Sequence, residues 1–473
     1  MAAIVKANNT NALNLTTSWV GGVVPAGNNT GLWNATVTAS NTVALGGNIS
    51  LGGFVIQNPG GPVTINNGVT AATVTFSTTG IDLQAATQDL TVASPITIIT
   101  NAGCFIRAAA GRTVTLTASL GNSGGNNLSF ALNLGTINIS NVSANAYTGT
   151  FSLTGLINAN TATACGAASS TSTLTVETGG TLSANAPLNY SSPGRPSTVN
   201  GVGYISSPAY GAVVLNYVGT VNIGAVTLGS ASYMRGTVAG TATLSSSIAN
   251  TGFALTVGAA SGNVFALTGS ISGTGGLVVG NSSADTGTIA LTTANTYQGN
   301  TTLSFGTLSL GNASALGTGT LVFNGGTLDA STGLTATNAL TASADIVFTG
   351  TAALTLSGAM SLGASRTVTV NGSTLTLSGI VSNGGAGPYK LTKAGVGTLN
   401  LTNTNTYSGG TDIGGTGTVQ AGAVQALGST GTVTLTVSTA TLQTLTAGFA
   451  GQNGKLTVAA LDNSAGGIIK IGG

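Results

Sequence analysis

The sequence predicts an all-β protein built as one long parallel β-solenoid, with almost no α-helix. Three observations predict it: short runs in which apolar and polar residues alternate, turn-forming residues between these runs, and an internal repeat along the chain. Together they are typical of repeat proteins in which each unit buries its apolar face on its neighbours.

The alternating runs have the two-residue period of half-buried strands. Examples are RTVTLTA at 112–118, STLTVE at 172–177 and RTVTVNGSTLTLSG at 366–379. Val, Leu or Ile occupy one face of each run, and Thr, Ser or Asn occupy the other. Pairs of Gly, Asn and Ser separate the runs and predict tight turns. No sustained 3.6-residue apolar stripe indicates a helix.

Composition separates this chain from an ordinary globular domain and from a disordered one. Among 473 residues, 74 are Gly, none is His, 42% are hydrophobic and only 4% are charged, for a net charge of +2. Glycine-rich chains are often flexible linkers, but disordered chains lack the apolar β-branched residues found here. The ten basic residues form no stripe, so we expect no nucleic-acid partner. A near-neutral surface favours self-association.

Longer modules repeat around a tyrosine. In each module a Leu stands 30 or 31 residues before the Tyr. The tyrosines are Tyr147, Tyr297 and Tyr407, in the frames NAYTGTF, NTYQGNT and NTYSGGT. A coil of about 20–22 residues fits their spacing and predicts about 22 coils for the whole chain.

The repeats also suggest how the chain is organised. We assign residues 1–60 to N-terminal coils with a Trp-containing end and residues 61–473 to the remaining solenoid. Within the solenoid, the tyrosine modules lie around residues 116–185, 267–331 and 377–445.

The recurring tyrosine is expected to be a structural corner of the coil. Asn and Gly flank it in each module, and both residue types tolerate the backbone geometry of turns. The Tyr side chain would then cover the corner. The alternative is an exposed ring on which a sugar stacks.

At two of these corners the chain resembles a known repeat family. The segment KAGVGTLNLTNTNTYSGGTDIGGTGTVQAG, residues 393–422, resembles the autotransporter-associated β-strand repeat of bacterial surface proteins. The segment TGTIALTTANTYQGNTTLSFGTLSLG, residues 286–311, is similar to it as well. This resemblance implies a right-handed parallel β-helix outside the cell, and it implies little about activity.

The two ends of the chain look like parts of the same repeat. Residues 468–473 (IIKIGG) and residues 4–17 both resemble the stretch that begins LTKAGV at residue 391, so they are predicted to share its phase. Terminal coils expose unpaired backbone groups, and a second copy could complete them head to tail. Frayed ends, or a chain cut at a repeat boundary, are the alternatives. The predicted interface residues are Ile4, Val5, Leu13, Leu15, Trp19, Ile468, Ile469 and Ile471.

The roles of the two tryptophans and the two cysteines each have two interpretations. Trp19 and Trp33 are the only tryptophans, and they either plug the N-terminal end of the core or anchor an interface. Cys104 and Cys165 are the only cysteines, and we expect two buried free thiols, although a disulfide remains an alternative.

Catalytic and cofactor chemistry finds little support. Without His, imidazole acid–base catalysis, His metal ligands and Ser-His triads are all unavailable. Asp82 and Asp89 are the only acids close in sequence, and their odd spacing places them on opposite faces of a continuous strand. We therefore expect no enzyme, no metal and no cofactor. No run of about 18 apolar residues predicts a membrane-spanning helix, and the start resembles no cleaved leader.

These observations lead to one functional expectation and one alternative. We expect a structural subunit of an extracellular bacterial filament, sheath or surface layer, assembling head to tail with copies of itself. The alternative is an adhesin or fibre-like binding module that recognises glycans or host surfaces, with cell-surface polysaccharide as a further partner. An unusual carbohydrate-active enzyme ranks third. All three would be extracellular or on the cell surface.

Overall fold

The chain is an all-β protein that winds into about 18 turns of parallel β-solenoid, in a computed structural model. The only helical element among the described residues is a 3-10 turn at Thr16–Ser18. This confirms the predicted fold class. The structure describes residues 1–68, 71–99, 104–122, 127–130, 135–141, 145–166, 173–190, 196–203, 211–444 and 460–470.

The turns are fewer than the sequence predicted because most coils are longer than the shortest repeats. Leu32 pairs with Val55, which makes a coil of 23 residues. Ala3 pairs with Thr30, which makes one of 27. The extra residues lie in turns, where insertions leave the strand ladder intact.

The strands are short, as the alternating runs predicted. Those that begin before residue 239 are β1 (Ala3–Val5), β2 (Thr30–Trp33), β3 (Asn41–Ala44), β4 (Ile49–Ile56), β5 (Val63–Asn66), β6 (Val74–Leu83), β7 (Leu90–Val92), β8 (Ile96–Ile98), β9 (Cys104–Ala108), β10 (Thr113–Leu116), β11 (Leu120–Asn122), β12 (Leu128–Phe130), β13 (Thr136–Ile139), β14 (Phe151–Leu153), β15 (Leu156–Ala159), β16 (Leu174–Val176), β17 (Thr181–Ala184), β18 (Pro196–Gly201), β19 (Val213–Leu215), β20 (Gly219–Val221) and β21 (Ala225–Gly236).

The later strands follow the same pattern. They are β22 (Gly240–Leu244), β23 (Ile248–Ala249), β24 (Leu255–Ala259), β25 (Asn263–Leu267), β26 (Ile271–Ser272), β27 (Leu277–Val279), β28 (Thr288–Leu291), β29 (Thr301–Leu303), β30 (Thr307–Leu310), β31 (Leu321–Phe323), β32 (Thr327–Ala330), β33 (Leu334–Ala336), β34 (Leu340–Ala342), β35 (Ile346–Phe348), β36 (Leu354–Leu356), β37 (Met360–Leu362), β38 (Arg366–Val370), β39 (Thr374–Leu377), β40 (Val381–Asn383), β41 (Leu391–Ala394), β42 (Thr398–Leu401), β43 (Thr411–Ile413), β44 (Thr418–Ala421), β45 (Thr432–Leu435), β46 (Thr441–Thr444), β47 (Ala460–Asp462) and β48 (Ile468–Lys470).

The chain divides into two compact units. The first comprises residues 1–238 and 242–248, and the second comprises residues 239–241 and 249–473. The predicted boundary at residue 60 falls inside the first unit and stays a prediction.

In the first unit, single long strands bend from one face of the coil to the next. The first half of β6 pairs with β8, and its second half pairs with β9. The bend requires Gly80, which has a φ of +79° and whose added Cβ would lie 2.4 Å from the carbonyl oxygen of Phe105. Only glycine fits such a position without strain.

In the second unit, separate strands form three parallel ladders. One ladder runs through β24, β27, β29, β31, β34, β37 and β40. A second runs from β25 through β28, β30, β32, β35, β38, β41 and β43 to β45 and β47. The third runs through β33, β36, β39, β42, β44, β46 and β48. Each ladder therefore presents one face of the coil.

The core is built from columns of apolar side chains that stack in register from one coil to the next. Leu354, Leu375, Leu399, Val419 and Leu442 are in register on consecutive strands of the third ladder, and all are buried. Stacking at about 4.8 Å lets each side chain cover the one below it. The outward positions between them carry Thr, Asn and Gln, which is why the sequence alternates.

Candidate functional site

The tyrosine corners in the second unit are fully buried. The rings of Tyr297 and Tyr407 have no exposed surface. Their hydroxyls form hydrogen bonds with Thr301 Oγ1 at 2.5 Å and Thr411 Oγ1 at 2.6 Å. Burial raises the pKa of both tyrosines well above the ordinary value, so both hydroxyls stay protonated. A sugar has no ring face to stack on here.

The corner in the first unit departs from this pattern at one position. Phe151 stands where the other modules have Thr, and it makes an edge-on contact with Tyr147 at 6.0 Å between ring centroids. The buried Tyr147 hydroxyl instead donates to the carbonyl oxygen of Thr150 at 3.3 Å. Burial, and then the nearby Cys104, raise the pKa of Tyr147.

An asparagine two residues before each tyrosine clamps three successive coils. The Oδ1 atom of Asn405 accepts the Val381 N–H at 2.8 Å, and its Nδ2 donates to the Ala426 carbonyl at 2.6 Å. The same two bonds are made by Asn295 with Ile271 and Ala315, and by Asn145 with Leu120 and Ala164. The first Asn of the NTY frame is therefore a buried clamp between neighbouring coils, and we call this arrangement the corner clamp.

A glycine in the next coil completes the corner. Gly317 has a φ of +60°, and an added Cβ would lie 2.3 Å from the Tyr297 carbonyl oxygen. Gly428 has a φ of +97°, and its added Cβ would lie 2.8 Å from the Tyr407 carbonyl oxygen. The motif Ala-Leu-Gly at these two positions becomes Ala-Cys-Gly at 164–166 in the first unit. Cys165 thus fills a core position that Leu fills elsewhere.

The two cysteines are buried and form no disulfide, which confirms the expectation of two buried thiols. Burial raises the pKa of Cys104 to about 11, so its reactive thiolate form is disfavoured. Among the described residues, no three His, Cys, Asp or Glu side chains are grouped to hold a metal ion.

The first coil is covered by its own chain. Lys6, the residue that follows β1, forms an antiparallel bridge with Trp19. The Ala7 N–H donates to the Ser18 carbonyl at 2.9 Å, and the Val20 N–H donates to the Val5 carbonyl at 2.8 Å. Part of the backbone edge that could pair with another strand is therefore already paired.

Aromatic side chains fill the core behind this cover. Trp19 and Trp33 are buried and meet edge to face at 5.8 Å, and Trp33 meets Phe54 in the same way at 5.6 Å. The Trp19 indole N–H donates to the Leu13 carbonyl at 2.8 Å. Leu13 is also buried, whereas Leu15 is exposed and Ile4 and Val5 are partly exposed. Of these predicted interface residues, Leu15 offers the most surface.

Two buried lysines make similar hydrogen bonds to backbone carbonyls close to them in the chain. Lys6 Nζ donates to the carbonyl oxygens of Ala7 and Asn9, at 3.0 and 2.8 Å. Lys393 Nζ donates to those of Ala394 and Gly395, at 2.8 and 2.9 Å. Burial lowers the pKa of both lysines to about 8. Each ammonium group ties down the turn that follows its strand, and both side chains are inaccessible.

The last described coil has exposed apolar side chains. Ile468 and Ile469 on β48 are 47% and 39% exposed, and Leu461 on β47 is 45% exposed. Leu461 and Ile469 continue inward-facing core columns above Val433 and Leu442. Ile471 lies outside the described residues.

The predicted phase of the C-terminal segment is wrong. β48 pairs with β46 in the third ladder, whereas residues 391–394 form β41 in the second ladder. The resemblance between IIKIGG and LTKAGV reflects a short alternating pattern that fits any face. Coil length, and not those few letters, decides which face a strand joins.

The sequence analysis did not predict the ion pairs that join side chains on neighbouring coils. Arg112 Nη1 lies 3.6 Å from Asp89 Oδ1, and Lys390 Nζ lies 2.9 Å from Asp412 Oδ2. Arg107 is in register with Asp82 and lies over the Phe105 ring at 4.0 Å. A spacing of one coil length between opposite charges could have revealed both ion pairs.

Comparison with known families identifies the repeat. The family described as passenger-associated-transport-repeat matches residues 284–310 and 391–425, at the two corners with the full Asn, Tyr and Thr arrangement. No curated protein and no solved structure matches the chain. The matches and the β-solenoid fit an autotransporter passenger-type β-helix repeat protein, and they indicate a secreted or cell-surface location. No described helix is long and apolar enough to span a membrane.

Proposed function

We propose that this passenger-type solenoid is a non-enzymatic structural subunit of an extracellular bacterial filament, sheath or surface layer. The observation that carries the proposal is the corner clamp. The Asn405 side chain bonds to the coils on both sides, and the Tyr407 hydroxyl bonds to Thr411, which donates to the next coil. These polar groups are therefore all engaged within the solenoid. A chain that repeats this device is suited to a rigid extended support.

The finer part of the proposal is head-to-tail joining through apolar end surfaces. The antiparallel cover on β1 opposes simple strand addition at that end. The segment that contains this cover nevertheless exposes Leu15, Val20 and Val23, at 48%, 54% and 56%. We propose that these side chains receive Ile468 and Ile469 of a second copy. Such a contact is heterologous and builds a filament when its rotation does not close.

Electron microscopy at rising protein concentration tests this joining. We expect unbranched fibres for the unmodified chain and single particles for Ile469→Lys, because a buried unpaired ammonium group opposes the apolar contact. Val396→Lys is the matched control, since Val396 is 64% exposed in a turn away from both ends and its variant should still form fibres. Single particles of the unmodified chain at every concentration would overturn the filament.

The second candidate function is a binding module for glycans or host surfaces. One observation favours it: a polar cleft at the Tyr297 corner, whose lining includes the exposed hydroxyl residues Thr296, Ser314, Thr318 and Thr337. This function does not require the ends to join.

A further inference from the structure

A cleft of about 480 Å³ crosses three successive turns of the second unit. It is lined by residues from 294–296, from 314–318 and from 337–339. Each turn belongs to a different coil, and the three are stacked above one another at the Tyr297 corner. The volume lies within the range of small-molecule sites in proteins, about 300–1,000 Å³.

The floor of the cleft is held rigidly. Asn295 is fixed by its two bonds to neighbouring coils, at 2.7 Å and 2.6 Å. Asn338 Nδ2 donates to the carbonyl oxygens of Gly317 and Gly319, at 3.1 and 2.8 Å. Both asparagines are at least nine-tenths buried. A ligand would therefore meet a preformed surface, which lowers the entropic cost of binding.

The rim of the cleft is rich in hydroxyl groups. Thr296, Ser314, Thr318 and Thr337 line it, and all four residues are exposed. The Thr318 hydroxyl lies 3.4 Å from the Tyr297 carbonyl oxygen, and its oxygen keeps the capacity to accept. Each hydroxyl both donates and accepts, so together they suit a partner that does the same.

The lining also limits the kind of ligand. None of the nine lining residues, all within the described part of the chain, is charged or aromatic. An anion or cation would lose hydration without gaining a counter-charge. A flat aromatic ligand would find no ring to stack on. The lining therefore favours a neutral ligand that carries several hydroxyl groups. A pyranose sugar is the common biological example.

We propose that this cleft binds a neutral saccharide, one or two sugar rings at a time. The inference rests on the second candidate function above and is independent of filament formation, because the fibre assay and a binding assay have separate readouts. The hydroxyls of Ser314 and Thr337 would contact the sugar directly, from turns on different coils.

The test is saturation-transfer NMR with the full chain and three probes. Maltohexaose and cellohexaose are the neutral probes, and an oligogalacturonate of similar length is the acidic one. We expect saturable binding of a neutral probe, and Thr337→Val and Ser314→Ala should each weaken it about 2–12-fold, the effect of one lost hydrogen bond. The matched control is Thr335→Val, an exposed threonine two residues from Thr337 that does not line the cleft.

Three results would overturn the proposal. The first is that neither neutral probe shows saturable binding up to about 10 mM, which corresponds to less than about 3 kcal/mol of binding free energy. The second is that Thr337→Val and Thr335→Val weaken binding of the neutral probe equally. The third is that the protein prefers the acidic probe. Circular dichroism of each variant verifies that the solenoid is intact. Fibre formation without saccharide binding would reject this inference alone.

Discussion

Replacing the corner asparagine is the sharpest test of what holds the coils together. In Asn405→Ala, the Val381 N–H loses its acceptor and the Ala426 carbonyl loses its donor, and both groups lie in the interior. An unsatisfied buried polar group costs about 1–3 kcal/mol, so the variant should lose about 2–6 kcal/mol of unfolding free energy. Few single substitutions in a polar turn reach that size.

The chain offers a matched control two residues away. Asn403 is half-buried, and its Nδ2 donates to the Ser378 carbonyl at 3.0 Å. Asn403→Ala removes the same side chain and two bonds, the second accepted from the Thr404 N–H at 2.8 Å, but both lie beside solvent, where water replaces the lost partners, so the loss should be about 0.5–1.5 kcal/mol. The two variants therefore differ in burial and not in chemistry.

The assay combines guanidinium unfolding with hydrogen exchange. Repeat proteins can unfold in parts, so a single global midpoint is not enough. Exchange followed by mass spectrometry should show lost protection in the peptides that contain Val381 and Ala426, on both sides of the corner. If Asn405→Ala costs no more than Asn403→Ala, the clamp does not join the coils and the reasoning is refuted.

Further predictions concern the buried hydroxyl, glycine, lysine and thiol groups. Thr411→Val should cost about 1–3 kcal/mol in guanidinium unfolding, because the Tyr407 hydroxyl and a backbone carbonyl lose a partner. Gly317→Ala should lower the melting temperature, since its Cβ would collide with backbone. The pKa of Lys393 is about 8 in the folded protein and 10.5 in the unfolded chain, so between these pH values the unfolded state binds more protons. The free energy of unfolding should therefore rise with pH across that window. Lys393→Met should make this rise smaller. Both thiols should resist a disulfide-exchange reagent until guanidinium unfolds the chain.

The sequence predicts the repeating interior of this protein well. Alternation of Leu, Val and Ile with Thr predicts strands, and the recurrent NTY frame predicts a corner, because every coil meets the same steric demands. The pairing of Asp89 with Arg112 depends on coil length, which varies from turn to turn. The cover of β1 by residues 18–20 is an antiparallel contact made once within the described residues, so no repeated sequence pattern predicts it.

The same contrast indicates where specificity must lie. The residues shared by the two matched modules, such as Asn295 and Asn405, are buried and occupied by neighbouring coils. The proposed cleft uses a residue that the modules do not share, because Ser314 corresponds to Gln425 in the later module. A sugar site repeated at every corner would require the hydroxyl to recur with the tyrosine. Since it does not, the proposed sugar site belongs to a single corner, and the binding test at Ser314 addresses that site and not the repeat.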